Sequence, residues 1–162
     1  MQRICLFPGT FDPVTLGHTD IINRALPLFD KMIIGIGRNI NKEPMFSDQQ
    51  RLQWVRDIYR TNDKVEAVIY DGLTVDCCQK VGANFILRGI RYVNDFEYEK
   101  AIADMNRSLA NNIETVFLTC LPQYTSVAST LVRDVIRNGG AVADFLPEVV
   151  NDTIKQHQQN AR

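Results

Sequence analysis

The residues that stand out first are Thr15-Leu16-Gly17-His18, a hydroxyl and an imidazole three positions apart with a glycine between them. At the start of a helix, that pattern suits an anion. Gly17 lets backbone come close to a phosphate, and the free N–H groups and dipole of a helix start favour negative charge beside His18. The stretch from Pro8 to His18 has no Gly-Lys-Ser/Thr ending, so it is not a P-loop. A Gly-x-Gly-x-x-Gly dinucleotide loop is also missing: Gly35-Ile36-Gly37 follows the second strand and lacks the third glycine. Three cations complete the set: Lys42, then Arg88 and Arg91 within Arg88-Gly89-Ile90-Arg91. Taken singly, a lone histidine or cation is more often a solvated surface residue. Arg88 is less easily dismissed, since it follows three apolar strand residues directly, where a structural strand end more often carries a turn residue. Together the set describes chemistry between phosphates. The nucleophile would be an anion that needs no general base, and the charge gathering on phosphorus would be held by cations and hydrogen-bond donors.

These side chains need a frame. Ile4 to Phe7, Met32 to Ile36, Val65 to Tyr70, Phe85 to Leu87 and Val116 to Leu121 read as five short strands. Helical spacing separates them. It runs from Gly17-His18 through Ile21, Ile22, Ala25, Leu26 and Phe29, and again through Leu52, Val55, Ile58 and Tyr59 after the capping-box form Ser47-Asp48-Gln49-Gln50. Further helices cover Val75 to Val81, stopped at Gly82, then Asn94 to about Ala110, and Ser129 to Asn138, stopped at Gly139-Gly140. Pro147 opens a last helix, and Gln156 to Arg162 reads as a frayed tail. This alternation predicts an α/β fold, a single domain over 1–162 built on an open five-stranded parallel sheet with helices on both faces. Such sheets bind ligands at the carboxyl ends of strands, where the strand order reverses. The segments after strands one, two, four and five hold every residue named above as chemical.

Composition narrows the partners. Lys plus Arg is 18 against 19 for Asp plus Glu, and this balance argues against a nucleic-acid face while allowing a local cationic pocket. No apolar run approaches the roughly 18 residues of a membrane span, and Ile4 to Phe7 is too short for a signal-peptide core. A cytoplasmic protein is expected. Cys5, Cys77, Cys78 and Cys120 form no Cys-x-x-Cys pair, and His18 and His157 lie far from any paired spacing, so reduced thiols and no protein-built metal site are expected.

Thr15-Leu16-Gly17-His18 resembles the (H/T)xGH signature of the nucleotidyltransferase superfamily. Four further stretches resemble the bacterial phosphopantetheine adenylyltransferases in particular. They are Pro8 to Pro13; Asn39-x-x-Lys42-x-Pro44-x-Phe46; the Arg-Gly-x-Arg stretch followed by Asp95-Phe96-Glu97-Tyr98-Glu99; and Phe145-Leu146-Pro147-Glu148. The likeness covers Cys5 to about Val150. It implies a Rossmann-like nucleotidyltransferase fold. The implied reaction moves the adenylyl group of ATP to 4′-phosphopantetheine by direct in-line displacement, giving 3′-dephospho-coenzyme A and diphosphate.

By the same resemblance, Thr10 contacts the attacking phosphate, His18 stabilises the transition state, and Lys42 and Arg91 join them in the catalytic set. Lys42 and Arg88 take the acceptor's phosphate, and Thr74 meets the pantetheine arm. ATP would be lined by Thr10, Phe11, His18, Gly89, Ile90, Arg91 and Glu99, and by Tyr124, Thr125, Ser126, Val127, Ala128, Ser129 and Thr130. Mg²⁺ on the ATP phosphates, a homohexamer and restraint by coenzyme A are implied too. The chain departs from the family at Ala128, where serine is usual, and carries Arg133 where lysine is common. Two alternatives remain, a non-catalytic nucleotide-binding module and a cytidylyl- or nicotinamide-mononucleotide-transferring relative. The joint presence of His18, Lys42 and Arg88 weighs against the first. The Arg-Gly-x-Arg and Asp-Phe-Glu-Tyr-Glu pair weighs against the second.

Overall fold

Five strands, β1 (Ile4–Gly9), β2 (Lys31–Gly37), β3 (Val65–Tyr70), β4 (Phe85–Ile90) and β5 (Glu114–Thr119), form one parallel sheet in the order β3-β2-β1-β4-β5. The structure, a computed structural model, describes residues 2–38 and 43–160. From β1 the chain winds outward to β3, then crosses back to lay β4 on the other side of β1. The order therefore reverses between β1 and β4, the place where an α/β sheet opens a crevice. The ladder itself shows the opening. β1 pairs with β2 from Ile4 to Gly9, but with β4 only at Cys5↔Phe85 and Leu6↔Ile86.

Among the described residues, four helices connect the strands, α1 (Leu16–Ala25), α2 (Asp48–Ile58), α3 (Thr74–Val81) and α4 (Val93–Leu109), and two follow β5, α5 (Ser129–Arg137) and α6 (Glu148–Asn160). Alternation along the buried strands divides the core between the two sheet faces. Cys5, Phe7, Met32, Ile34 and Leu87 pack with Ile22, Trp54, Val55, Val132 and Val150. Leu6, Ile33 and Ile86 pack with Val75, Cys77, Cys78 and Ile113 on the other face. Burial pushes the Cys78 thiol up to about 12, so it stays protonated. The long helix α4 buries none of its side chains.

Several boundaries differ from the sequence reading. α1 stops at Ala25 because Pro27 sits in a 3-10 turn, Leu26–Leu28. β4 continues past Leu87 through Arg88 and Gly89 to Ile90, carried by the pairs Arg88↔Phe117, Gly89↔Leu118 and Ile90↔Thr119. β5 starts at Glu114 and ends before Cys120. The frayed tail is corrected in part: α6 carries Gln156 to Asn160 as helix. That helix is anchored by buried Val150 and Ile154, and by a hydrogen bond from Trp54 Nε1 to Thr153 Oγ1 at 3.2 Å.

Candidate active site

The crevice is built first by the segment leaving β1. A Cβ at Gly9 would stand 3.0 Å from the Phe11 ring, so glycine is what lets Phe11 fold back, at φ +50, beneath the strand end. Phe11 is 1% exposed and meets the His18 ring edge-on, centroids 4.9 Å apart. Thr15 is the N-cap of α1, and its Oγ1 accepts from the His18 N–H at 3.4 Å. In return the Thr15 N–H donates to His18 Nδ1 at 3.0 Å. A backbone N–H is always a donor, so Nδ1 is the acceptor and the ring proton sits on Nε2. Burial, followed by the charges of Arg91 and Arg88, pushes the imidazole down to about 4. His18 is therefore a neutral donor at pH 7, with Nε2–H as its free edge.

β4 supplies the facing wall. The Arg88 guanidinium forks onto Glu99 of α4, Nε to Oε2 at 2.6 Å, and its Nη1 donates to the Pro8 carbonyl at 2.7 Å. That contact lies beyond the last β1–β4 pair, so a side chain occupies a carbonyl that the ladder has left. Arg91 donates from Nε to Asp95 Oδ2 at 3.1 Å. The same carboxylate caps the start of α4 by accepting from the Arg91 and Tyr92 N–H groups.

A second group of contacts fixes the β1 segment to its neighbours. Asp12, 5% exposed, accepts from the Met45 and Phe46 N–H groups, each at 2.9 Å. Arg51, 2% exposed, donates to the Phe46 carbonyl at 3.0 Å and to the Thr10 carbonyl, and pairs with Asp48. From the α5 side, Ser129 Oγ donates to the Pro13 carbonyl at 2.8 Å and Arg133 to the Asp12 carbonyl at 2.6 Å. Ala128 stands at the N-cap of α5 with no side-chain cap, which leaves first-turn N–H groups open to an anion. These walls enclose a cavity of about 930 Å³. An adjoining one of about 700 Å³ shares Thr10, Arg88 and Glu99 with it and extends to Thr74 and Asn106.

Residues 6–135 match the family model described as cytidylyltransferase-like. The phosphopantetheine adenylyltransferase of Flavobacterium psychrophilum is 50% identical over 149 residues, 92% of this chain and 98% of the relative. The chain belongs to the phosphopantetheine adenylyltransferase family. Proteins of the same name from Leptospira biflexa and Ruegeria pomeroyi are 44% and 43% identical, over 95% and 96% of this chain and 96% and 97% of theirs. Among solved structures, a protein assigned as a nicotinate-nucleotide adenylyltransferase from Vibrio parahaemolyticus superposes with a TM-score of 0.72 at 18% identity, covering 96% of this chain and 93% of that one. The latter likeness speaks for the fold alone.

Most residues implied by the likeness to the phosphopantetheine adenylyltransferases come together. Thr10, Phe11, His18, Arg88, Gly89, Arg91, Glu99, Tyr124, Val127, Ala128, Ser129 and Thr130 line the larger cavity, and Thr74 lines the smaller. Ile90, 8% exposed, does not line either one, nor do Thr125 and Ser126. Lys42 lies outside the described residues. Glu99 reaches the cavity through Arg88, whose charge it balances.

The sequence reading passed over Asp12, Arg51 and Arg137, and noted Arg133 only as a departure from lysine. Arg51 did leave a signal. It sits three and four residues before Trp54 and Val55, on the buried stripe of α2, and a cation there requires acceptors. Among the described residues no group of three His, Cys, Asp or Glu side chains is placed to hold a metal ion. Of the carboxylates lining the cavity, Asp12, Asp48, Asp71, Asp95 and Glu99 are engaged by arginine or by backbone N–H groups.

Proposed function

We propose that this chain transfers the adenylyl group of ATP to 4′-phosphopantetheine, forming 3′-dephospho-coenzyme A and diphosphate in the penultimate step of coenzyme A synthesis. One observation carries the reading: a neutral His18 donor, Arg88 and Arg91 share a cavity where the strand order reverses. An oxygen of the acceptor's phosphate attacks the α-phosphorus of ATP. As that P–O bond forms, the bond from phosphorus to the bridging oxygen breaks, and diphosphate leaves with the electron pair. The nucleophile is already anionic, so positioning and charge stabilisation are the enzyme's task.

Arg88, Lys42 and Thr10 are assigned to the acceptor phosphate, and Thr74 to the pantetheine arm. His18 Nε2–H and Arg91 are assigned to the oxygens of the α-phosphate, where charge grows in the transition state. The open N–H groups at Ser129 and Thr130 suit the outer phosphates, and Tyr124 and Val127, which line the cavity, are assigned to the base. Direct transfer is supported by the histidine itself. Its Nδ1 is occupied by Thr15 and its Nε2 is protonated, so neither nitrogen offers a lone pair to phosphorus.

Mg²⁺ is assigned to the ATP phosphates. Among the described residues no three His, Cys, Asp or Glu side chains gather into a cage for it, so the phosphates themselves would hold it. Self-association is supported by α4, which turns Val93, Tyr98, Met105 and Leu109 to the outside, and the number of six copies is what the family likeness implies. Coenzyme A would compete at the acceptor site because it contains the phosphopantetheine unit. The cytoplasm is the compartment where these substrates meet. Among the described residues no helix is long and apolar enough to cross a membrane.

The test is diphosphate release from ATP and Mg²⁺ with 4′-phosphopantetheine, compared with pantetheine lacking its phosphate. Turnover is expected only with the first. Equal rates would overturn the assignment, because the second acceptor lacks the nucleophile.

A further inference from the structure

Outside the residues already given roles, a chain of charged side chains crosses the acceptor side of the crevice. Arg38 follows β2 directly, and its N–H donates to the Tyr70 carbonyl at 3.0 Å. Its guanidinium pairs with Asp48, the first residue of α2, and with Asp71, the first residue after β3, at 3.1 Å. The other Asp48 oxygen pairs with Arg51, which holds the Thr10 and Phe46 carbonyls. The segments after β1, β2 and β3 are thus joined through four side chains.

Two features decide what Arg38 does. Its partners Asp48 and Asp71, with Arg51, bring the formal charge of the group to zero, so it offers a phosphate no surplus of positive charge. Yet Arg38 lines both cavities, and the segment that it grips at Asp71 leads within three residues to Thr74. The side chain is 46% exposed, and exposed ion pairs add little to folding stability. What it fixes is the relative placement of two segments.

We propose that Arg38, by bridging Asp48 and Asp71, is a positioning residue that holds the acceptor half of the crevice in its binding shape. The proposal rests on the adenylyl-transfer reading. A guanidinium can bridge two carboxylates through its fork of donors, whereas a lysine ammonium is a point charge on a flexible stem. Charge and bridging are therefore separable by substitution.

The experiment uses the full chain as Arg38→Ala, Arg38→Lys and Asp71→Asn. Steady-state kinetics are measured against both substrates, with amide hydrogen exchange over residues 45–48 and 71–74. Arg38→Ala should raise KM for phosphopantetheine about fivefold, the scale of a lost exposed pair, and leave KM for ATP within about twofold. Asp71→Asn should move the same constant in the same direction, and Arg38→Lys should recover less than half of the loss. Exchange in both segments should quicken about tenfold in Arg38→Ala, while the amides of β2 stay protected. Equal rises in both KM values, full rescue by lysine, or unchanged exchange would each overturn the proposal. If the wild-type chain fails to use phosphopantetheine, the reaction assignment falls, and the exchange arm still decides whether Arg38 holds the two segments.

Discussion

His18 shows how much one backbone hydrogen bond decides. With Nδ1 taken by the Thr15 N–H, the ring has one tautomer and one free edge, and both suit a donor to a phosphate oxygen. His18→Ala should lower kcat by about 10²–10³-fold, the usual loss for one transition-state donor, with a much smaller change in ATP affinity. A variant with near-normal kcat would return the residue to an ordinary helix-start histidine. The pH dependence has a definite sign. The folded imidazole is pushed from 6.5 to about 4, so between those values the unfolded chain binds a proton that the folded chain does not. The contribution of His18 to stability is complete above pH 6.5 and is lost as pH falls toward 4. In an NMR titration, the His18 ring signals should keep their neutral positions at pH 6 and move only below about pH 5. A midpoint near 6.5 would contradict the buried setting. The identity of this residue was legible in Thr15-Leu16-Gly17-His18. Its low pKa was not, because both causes arise only on folding: burial first, then the charges of Arg91 and Arg88, about seventy positions away in sequence.

Elements were legible wherever an apolar period ran unbroken, and less so where chemistry interrupts it. All five strands and six helices lie where periodicity and stop signals place them, within a few residues. β4 is the instructive difference: Arg88 and Gly89 break the apolar run, yet pairing with β5 keeps the strand going to Ile90. The strand order has no local signature, since it depends on which side of β1 the returning chain settles. The start of α1 ties element to function, because one threonine both caps the helix and orients the imidazole. Thr15→Ala should cost about 1 kcal/mol of stability, seen as a lower denaturant midpoint at unchanged slope. The same change should lower kcat, since the Thr15 hydroxyl, 3.1 Å from Nδ1, also steadies the ring. Thr15→Ser should restore most of both. A variant that lost stability and kept full kcat would separate cap from catalyst.

The whole molecule is two ladders, β3-β2-β1 and β4-β5, that share only the pairs at Cys5 and Leu6. A nucleotide held by residues from both should add to stability by mass action. At a hundredfold excess over its Kd, ATP should contribute about 2.7 kcal/mol, read as a rise in melting temperature, with little rise in His18→Ala plus Arg91→Ala. The parting of β1 from β4 has a further consequence. A sheet that stops pairing in its interior gains two edges that its outline does not show, and free strand edges invite other strands. Here those edges face Arg88, whose guanidinium already occupies the Pro8 carbonyl, and the folded-back ring of Phe11. An incoming peptide finds charge and an aromatic wall in place of a row of open partners, whereas a small anion finds donors. Arg88, assigned above to a phosphate, thus also stands where the open strand edge would otherwise offer a partner.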